Sequence, residues 1–171
     1  SEIIIKAWKK IKNKKNLFII GNYFVLKKQI SNIGFNIKVL KIDSIKEFNN
    51  KNNLSILNVP LKSKSIFKHN NIDTKNYVLK CLNLAHYLAS KKKIKGFINA
   101  SIDKKIFDNK YLGVTEYLAS KNNVKNKEVM MIYNKKLSVV PLTTHIEIKD
   151  ITRKIKIDLI KTKILTLNKY Y

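Results

Sequence analysis

Apolar positions along the chain fall into runs of two kinds. From residue 2 to 14, Ile4, Ala7, Trp8 and Ile11 recur at helical spacing with lysines between them, which predicts an amphipathic helix. Leu17 to Ile20 is a short continuous apolar run ending at Gly21, the pattern of a buried strand. Residues 22–33 read as a helix stopped by Gly34, and Ile37 to Ile42 alternates apolar residues with lysine, as a strand with one wet face does. Lysine and asparagine from 46 to 53 predict a loop, Leu54 to Val59 a further strand closed by Pro60, and residues 61–73 an irregular polar stretch. Thr74 is the expected N-cap of a helix over about 75–91, with Val78, Leu79, Leu82, Ala85, His86 and Ala89 on its broad face. Beyond it the pattern predicts a strand from Gly96 to Ala100, a short helix near Ile102 and a helix over 114–121. Val129–Tyr133 and Leu137–Leu142, joined by Asn134-Lys135-Lys136, read as a hairpin, and a long amphipathic helix is expected from about Ile151. Strand, helix and strand in succession with one late hairpin imply an α/β layered fold with a mixed sheet. There is no internal repeat and no legible boundary, so residues 1–171 read as a single α/β lobe.

Composition narrows the classes. Hydrophobic residues make up 44% of the chain, enough for an ordinary core, and 4 glycines and 2 prolines exclude a collagen-like or linker-rich architecture. The single cysteine, Cys81, excludes an internal disulfide and a multi-cysteine zinc site, and reads as a small buried hydrophobe; Trp8 reads as helix packing. No apolar run approaches the roughly 18 residues of a membrane span. The chain opens at Ser1 without methionine or a secretory pattern, so the expectation is a cytoplasmic, trimmed chain.

With 36 basic and 11 acidic residues the formal charge is +25, which first suggests a nucleic-acid partner. All but one of the basic residues are lysine, however, and Arg153 is the exception. Base and phosphate recognition favour the planar fork of arginine. Lysine, asparagine and isoleucine all have AT-rich codons, so genome composition accounts for the bias. The densest cluster, Lys91-Lys92-Lys93, falls at a predicted helix end, where cations complement the dipole. A solvated basic surface is therefore expected ahead of a nucleic-acid interface.

The general catalytic signatures are missing. There is no Gly-x-Gly-x-x-Gly turn, no phosphate loop, no Gly-x-Ser-x-Gly elbow and no histidine pair at helical spacing with a glutamate. His86 reads as a core or rim residue of its helix, and His69 lies in a polar loop without a motif.

Residues 94–152 carry more information. They contain Ile98-Asn99-Ala100-Ser101-Ile102-Asp103-Lys104, then Gly113-Val114-Thr115-Glu116-Tyr117-Leu118-Ala119, then Val129-Met130-Met131, and finally Leu142-Thr143-Thr144-His145-Ile146. This order resembles the 4-hydroxythreonine-4-phosphate dehydrogenase family of vitamin B6 biosynthesis. Its members show Thr-Ala-Pro-Ile-Asn-Lys, Gly-His-Thr-Glu-(Phe/Tyr)-Leu-Ala, Val-Met-Met-Leu and Thr-Thr-His-(Ile/Leu)-Pro-Leu. Ser1-Glu2-Ile3-Ile4 is similar to the end of the family's Gly-Pro-Glu-Ile segment. The resemblance covers the whole chain but only the first half of a usual member.

The resemblance implies an isocitrate/isopropylmalate-dehydrogenase-like α/β fold, here incomplete. It implies a homodimer that oxidises a small phosphorylated amino acid, 4-phosphohydroxy-L-threonine, with NAD or NADP and a divalent cation (Zn, Mg or Co). His145 matches the family's metal-ligand histidine, Thr115 a substrate-contacting threonine, and Lys104 a lysine that would face an anionic substrate. Glu116 is equally an acid favoured at a helix start. Val114 stands where the family has a substrate-binding histidine, and valine cannot donate to a phosphate. Ser101 replaces proline and Asp103 replaces asparagine. The family's later Gly-Leu-Asn-Pro-His-Ala-Gly-Glu segment is absent, and one imidazole is short of the three protein ligands usual in a catalytic site. The expectation is a partial or divergent dehydrogenase without turnover of its own. The alternatives are a non-catalytic basic module for RNA or acidic surfaces, and a dimerisation lobe.

Overall fold

The computed structural model describes residues 2–11, 16–49, 53–61 and 72–171. The predicted helical residues 12–14, most of the 61–73 stretch and His69 lie outside these. The chain divides into two compact units, Ser1–Ile98 and Asn99–Tyr171. No boundary is legible at Ile98 in the sequence. The structure divides there because residues 96–103 run without a regular element.

The first unit is an α/β sandwich. Its parallel three-stranded sheet has the order β1 (Phe18–Gly21), β3 (Leu54–Asn58), β2 (Val39–Ile42). Phe18 pairs with Ser55 and Val39 with Leu54, so β3 is central. That position explains its near-continuous apolar sequence, since both its faces are covered. Leu54 and Ile56 join Ile5 and Trp8 of α1 (Glu2–Lys10) and Leu26 and Ile30 of α2 (Tyr23–Asn32). Leu57 turns the other way, to Ile42, Phe18, Ile20 and Leu88 of α3 (Ile72–Ser90). The alternation of side chains along each strand thus sorts the core into two layers. Trp8 packs in the first of them, as its helical spacing predicts.

α2 is closed at both ends by local chemistry. The Asn22 side chain accepts from Val25 N at 3.1 Å and caps the N-terminus. At the other end Gly34 N donates to Ser31 O at 3.0 Å and Phe35 N to Ile30 O at 3.2 Å, a paired closure that needs the left-handed φ of +68° at Gly34. α3 differs from expectation. It is already helical at Ile72, with Asp73 in its first turn, so Thr74 lies inside the helix and does not cap it. Its buried stripe is Leu82, Ala85 and Leu88. Lys91, Lys92 and Lys93 follow its last turn, where the charge pattern put them.

The second unit is built from helices and loops around a small aromatic core. Phe107 and Tyr117 are buried, their ring centroids 5.1 Å apart, and Tyr111 sits edge-on to Tyr117 at 5.4 Å. α4 (Val114–Lys121) has the predicted bounds. Three expectations are corrected. Gly96–Ala100 forms no strand: its backbone finds no partner strand among the described residues, and Ile98 is 99% exposed. The hairpin contracts to a single antiparallel bridge between Ile132 and Val139, beside a turn in which Asn134 N donates to Leu137 O at 3.1 Å and Asn134 Oδ1 accepts from Lys136 N at 3.0 Å. The long C-terminal helix is broken into α5 (Ile151–Lys154) and α6 (Ile157–Tyr170) by extended backbone at Ile155 and Lys156. Among the described residues no helix is long and apolar enough to cross a membrane.

Candidate functional site

The second unit brings the sequence-marked residues together from three segments. Asp103 caps a short 3-10 turn, Lys104–Phe107, by accepting from Lys105 N at 2.9 Å. Its carboxylate is therefore engaged by a backbone amide, which gives this departure from the family pattern a local purpose. The capped turn presents Lys104. Phe107, at its end, packs on Tyr117 and ties the turn to α4.

α4 supplies the second segment. Gly113 is its N-cap in extended backbone, with no side-chain cap. A Cβ on Gly113 would stand 3.4 Å from Glu116 Oε2, so that carboxylate lies back over the first turn, where the helix dipole favours it. Thr115 is exposed at the second helical position, beside the unpaired amides of the helix start.

His145 supplies the third. Its φ of 56° is left-handed, a region that non-glycine residues enter rarely and histidine more often than most. The imidazole is exposed and is not packed among aliphatic side chains.

Lys104, Thr115, Glu116 and His145 line one cleft of about 200 Å³. Val114 is not among its lining residues. The lining also includes two residues that nothing in the sequence singles out, Glu128, and Lys163 of α6. Lys163 donates its ammonium to the Glu128 main-chain carbonyl, which fastens α6 to the segment before the hairpin. Opposed charges, hydroxyls and an imidazole suit a small polar ligand bearing an anion.

Two further candidates resolve differently. His86 is half-buried on α3, at the rim of the first unit. Cys81 is half-buried and free, and burial pushes its thiol up to about 11.

The cleft does not by itself make a metal centre. Among the described residues no group of three or more His, Cys, Asp or Glu side chains is arranged to hold a metal ion. Nor do they form a glycine-rich dinucleotide turn: Gly21 and Asn22 close β1 and cap α2.

Residues 13–171 match the family described as pyridoxal phosphate biosynthetic protein PdxA. The chain belongs to this family. It is 31% identical over 171 residues to a 4-hydroxythreonine-4-phosphate dehydrogenase of Hydrogenobaculum sp. (strain Y04AAS1), covering 99% of this chain and 54% of that protein. A solved 4-hydroxythreonine-4-phosphate dehydrogenase from Klebsiella pneumoniae superposes with a TM-score of 0.85 at 20% identity, over 98% of this chain and 53% of that one. One from Burkholderia phymatum gives 0.84 at 24%, over 96% and 52%. At these identities the superpositions show the shared α/β fold. The chain spans about half the length of the PdxA-family proteins it matches.

Proposed function

We propose that this chain is a partial or divergent 4-hydroxythreonine-4-phosphate dehydrogenase that binds 4-phosphohydroxy-L-threonine in the second-unit cleft. One observation carries the reading: Lys104, Thr115 and His145, each matching a separate family motif, line the same cleft. Lys104 and the Thr115 hydroxyl, with the free amides of the α4 N-terminus, hold the phosphate. His145 faces the alcohol to be oxidised, and its imidazole would be this chain's ligand to a divalent cation that polarises that alcohol. NAD or NADP would supply the hydride acceptor of the full reaction. Val114 removes one phosphate donor, so affinity is weaker than the family motif would supply.

The same reading makes the protein a cytoplasmic homodimer with no nucleic-acid partner. Support for the dimer is the apolar surface of α6, where Ile157, Ile164 and Leu165 are exposed and no residue is buried.

Calorimetric titration of the chain with 4-phosphohydroxy-L-threonine tests the assignment. Thr115→Val and His145→Ala are each expected to weaken binding about tenfold, or about 1.4 kcal/mol. Unchanged affinity in both variants would reject the cleft as the substrate site.

A further inference from the structure

The cleft holds a cation that no sequence motif marks. Lys163, within α6, lines the same space of about 200 Å³ as Lys104, Thr115 and His145. Among the described residues most lysines are exposed, whereas Lys163 is half-buried. Its ammonium donates to the Glu128 main-chain carbonyl. An ammonium has three donors, so this contact fastens the side chain and leaves donors over, with no further partner among the described residues. A lysine ordered in this way has already given up much of its rotamer freedom, so meeting a ligand costs it less than it costs a solvated one.

The carboxylates of the cleft do not neutralise this charge. Glu116 lies back over the first turn of α4, and one oxygen of Glu128 is shut off from solvent. Among the described residues neither forms an ion pair with Lys104 or Lys163. Two ammonium-bearing side chains from separate elements therefore border one small space, and their mutual repulsion falls when an anion enters it. Val114 bears on the same point. It offers no donor and does not line the cleft, whereas Lys163 brings a charged donor there from a different element.

We infer that Lys163 is a second cationic residue for the ligand's phosphate: its ammonium, fastened to the Glu128 carbonyl, joins Lys104 and Thr115 on that group and replaces part of what valine at position 114 takes away. This rests on the proposed substrate cleft and adds a binding residue outside the segments that the motifs mark. A charge-assisted hydrogen bond to phosphate makes about a tenfold difference in affinity or more.

The test is calorimetric titration of the full chain, of Lys163→Gln and of Lys163→Arg with 4-phosphohydroxy-L-threonine. Glutamine keeps a donor for the Glu128 carbonyl and loses the charge, whereas arginine keeps both. Lys163→Gln is expected to bind about tenfold more weakly, and Lys163→Arg to stay within a few-fold of the native chain. Native affinity in Lys163→Gln overturns the inference, and where Thr115→Val still weakens binding the substrate cleft stands without it. An equal loss in Lys163→Gln and Lys163→Arg also overturns it, because the side chain then serves only to fasten α6. No binding by the native chain overturns the cleft assignment and the inference together. A second measurement needs no variant and decides the matter where Lys163→Gln does not fold. The native chain is acetylated with acetic anhydride, with and without the same ligand, and each lysine is followed by mass spectrometry. Slower labelling of Lys163 in the presence of ligand, with Lys91, Lys92 and Lys93 unchanged, supports the inference, and equal labelling of Lys163 rejects it.

Discussion

Cys81 and Tyr77 stand one turn apart on α3, and each alters the other's proton. Burial, above all, raises the thiol from 9.0 to about 11, opposed by a hydrogen bond with Tyr77. Burial and the neighbouring Cys81 raise the phenol above its ordinary range. Tyr77 Oη also accepts from Asn22 N at 2.7 Å, so the phenol links α3 to the start of α2. Both native groups hold their protons at pH values where the unfolded chain releases them. Stability is therefore intact below pH 9 and falls as pH rises toward 11, by about 2 kcal/mol for the thiol alone. A thiol with so little thiolate is also slow to react. At pH 8 the native chain should react with a disulfide reagent roughly a hundredfold more slowly than the urea-unfolded chain, given the shift of about two units. Equal rates would show that Cys81 is not shielded in this way. The structure leaves Cys81 half-buried, whereas the sequence marks it as a small buried hydrophobe. The coupling to Tyr77 is not legible there, because the i,i+4 relation matters only once the shared face is known to be buried.

At the scale of elements, the ends of β1 and β3 are joined by side chains standing in for backbone. Asn22, 8% exposed, caps α2 and donates to Val59 O at 3.2 Å, while Asn58 Oδ1 accepts from Tyr23 N at 3.0 Å. Gly21 completes the junction: a Cβ there would come within 3.2 Å of the Tyr77 hydroxyl. Asn22→Ala removes a helix cap and leaves a buried carbonyl short of a donor. It should lower urea stability by about 2 kcal/mol, and a midpoint that does not move would deny the junction any structural weight. These elements were readable because apolar runs end on strong punctuation: Gly21 as the last residue of β1, Gly34 after α2, Pro60 after β3. Gly96–Ala100 shows the limit of that reading. Its pattern says extended and apolar, but a strand exists only with a neighbour to pair its amides, and none is described. The cleft divides the same way. Lys104, Thr115 and His145 were marked by family motifs, whereas Glu128 and Lys163 have no local signature in a chain with 36 basic residues, and only the fold brings them to the site.

For the whole molecule the governing quantity is charge. With 36 cationic and 11 acidic side chains, at least 36 − 11 = 25 cations have no carboxylate to neutralise them. Among the described residues the ion pairs are local, such as the solvent-exposed Lys6–Glu2 at 2.5 Å and Lys149–Glu147 at 2.6 Å, and contribute little. Such a surface attracts any polyanion, so retention on RNA or heparin is no evidence of a recognised partner. Ionic strength separates the surface from the cleft. A polyanion that engages about six lysines loses roughly a thousandfold in affinity between 50 and 200 mM salt, because each contact releases a condensed counterion. A phosphorylated amino acid meets only Lys104 and Lys163 in the cleft and has no counterion sheath to shed, so its affinity should change only several-fold over the same range. Titrating both ligands across that interval should give a steep line for a homopolymeric RNA, identical for a scrambled sequence, and a shallow one for the small phosphate. RNA binding that holds at 200 mM and prefers one sequence would mean that the lysines form an evolved interface, and the basic-module reading would then displace the enzymatic one.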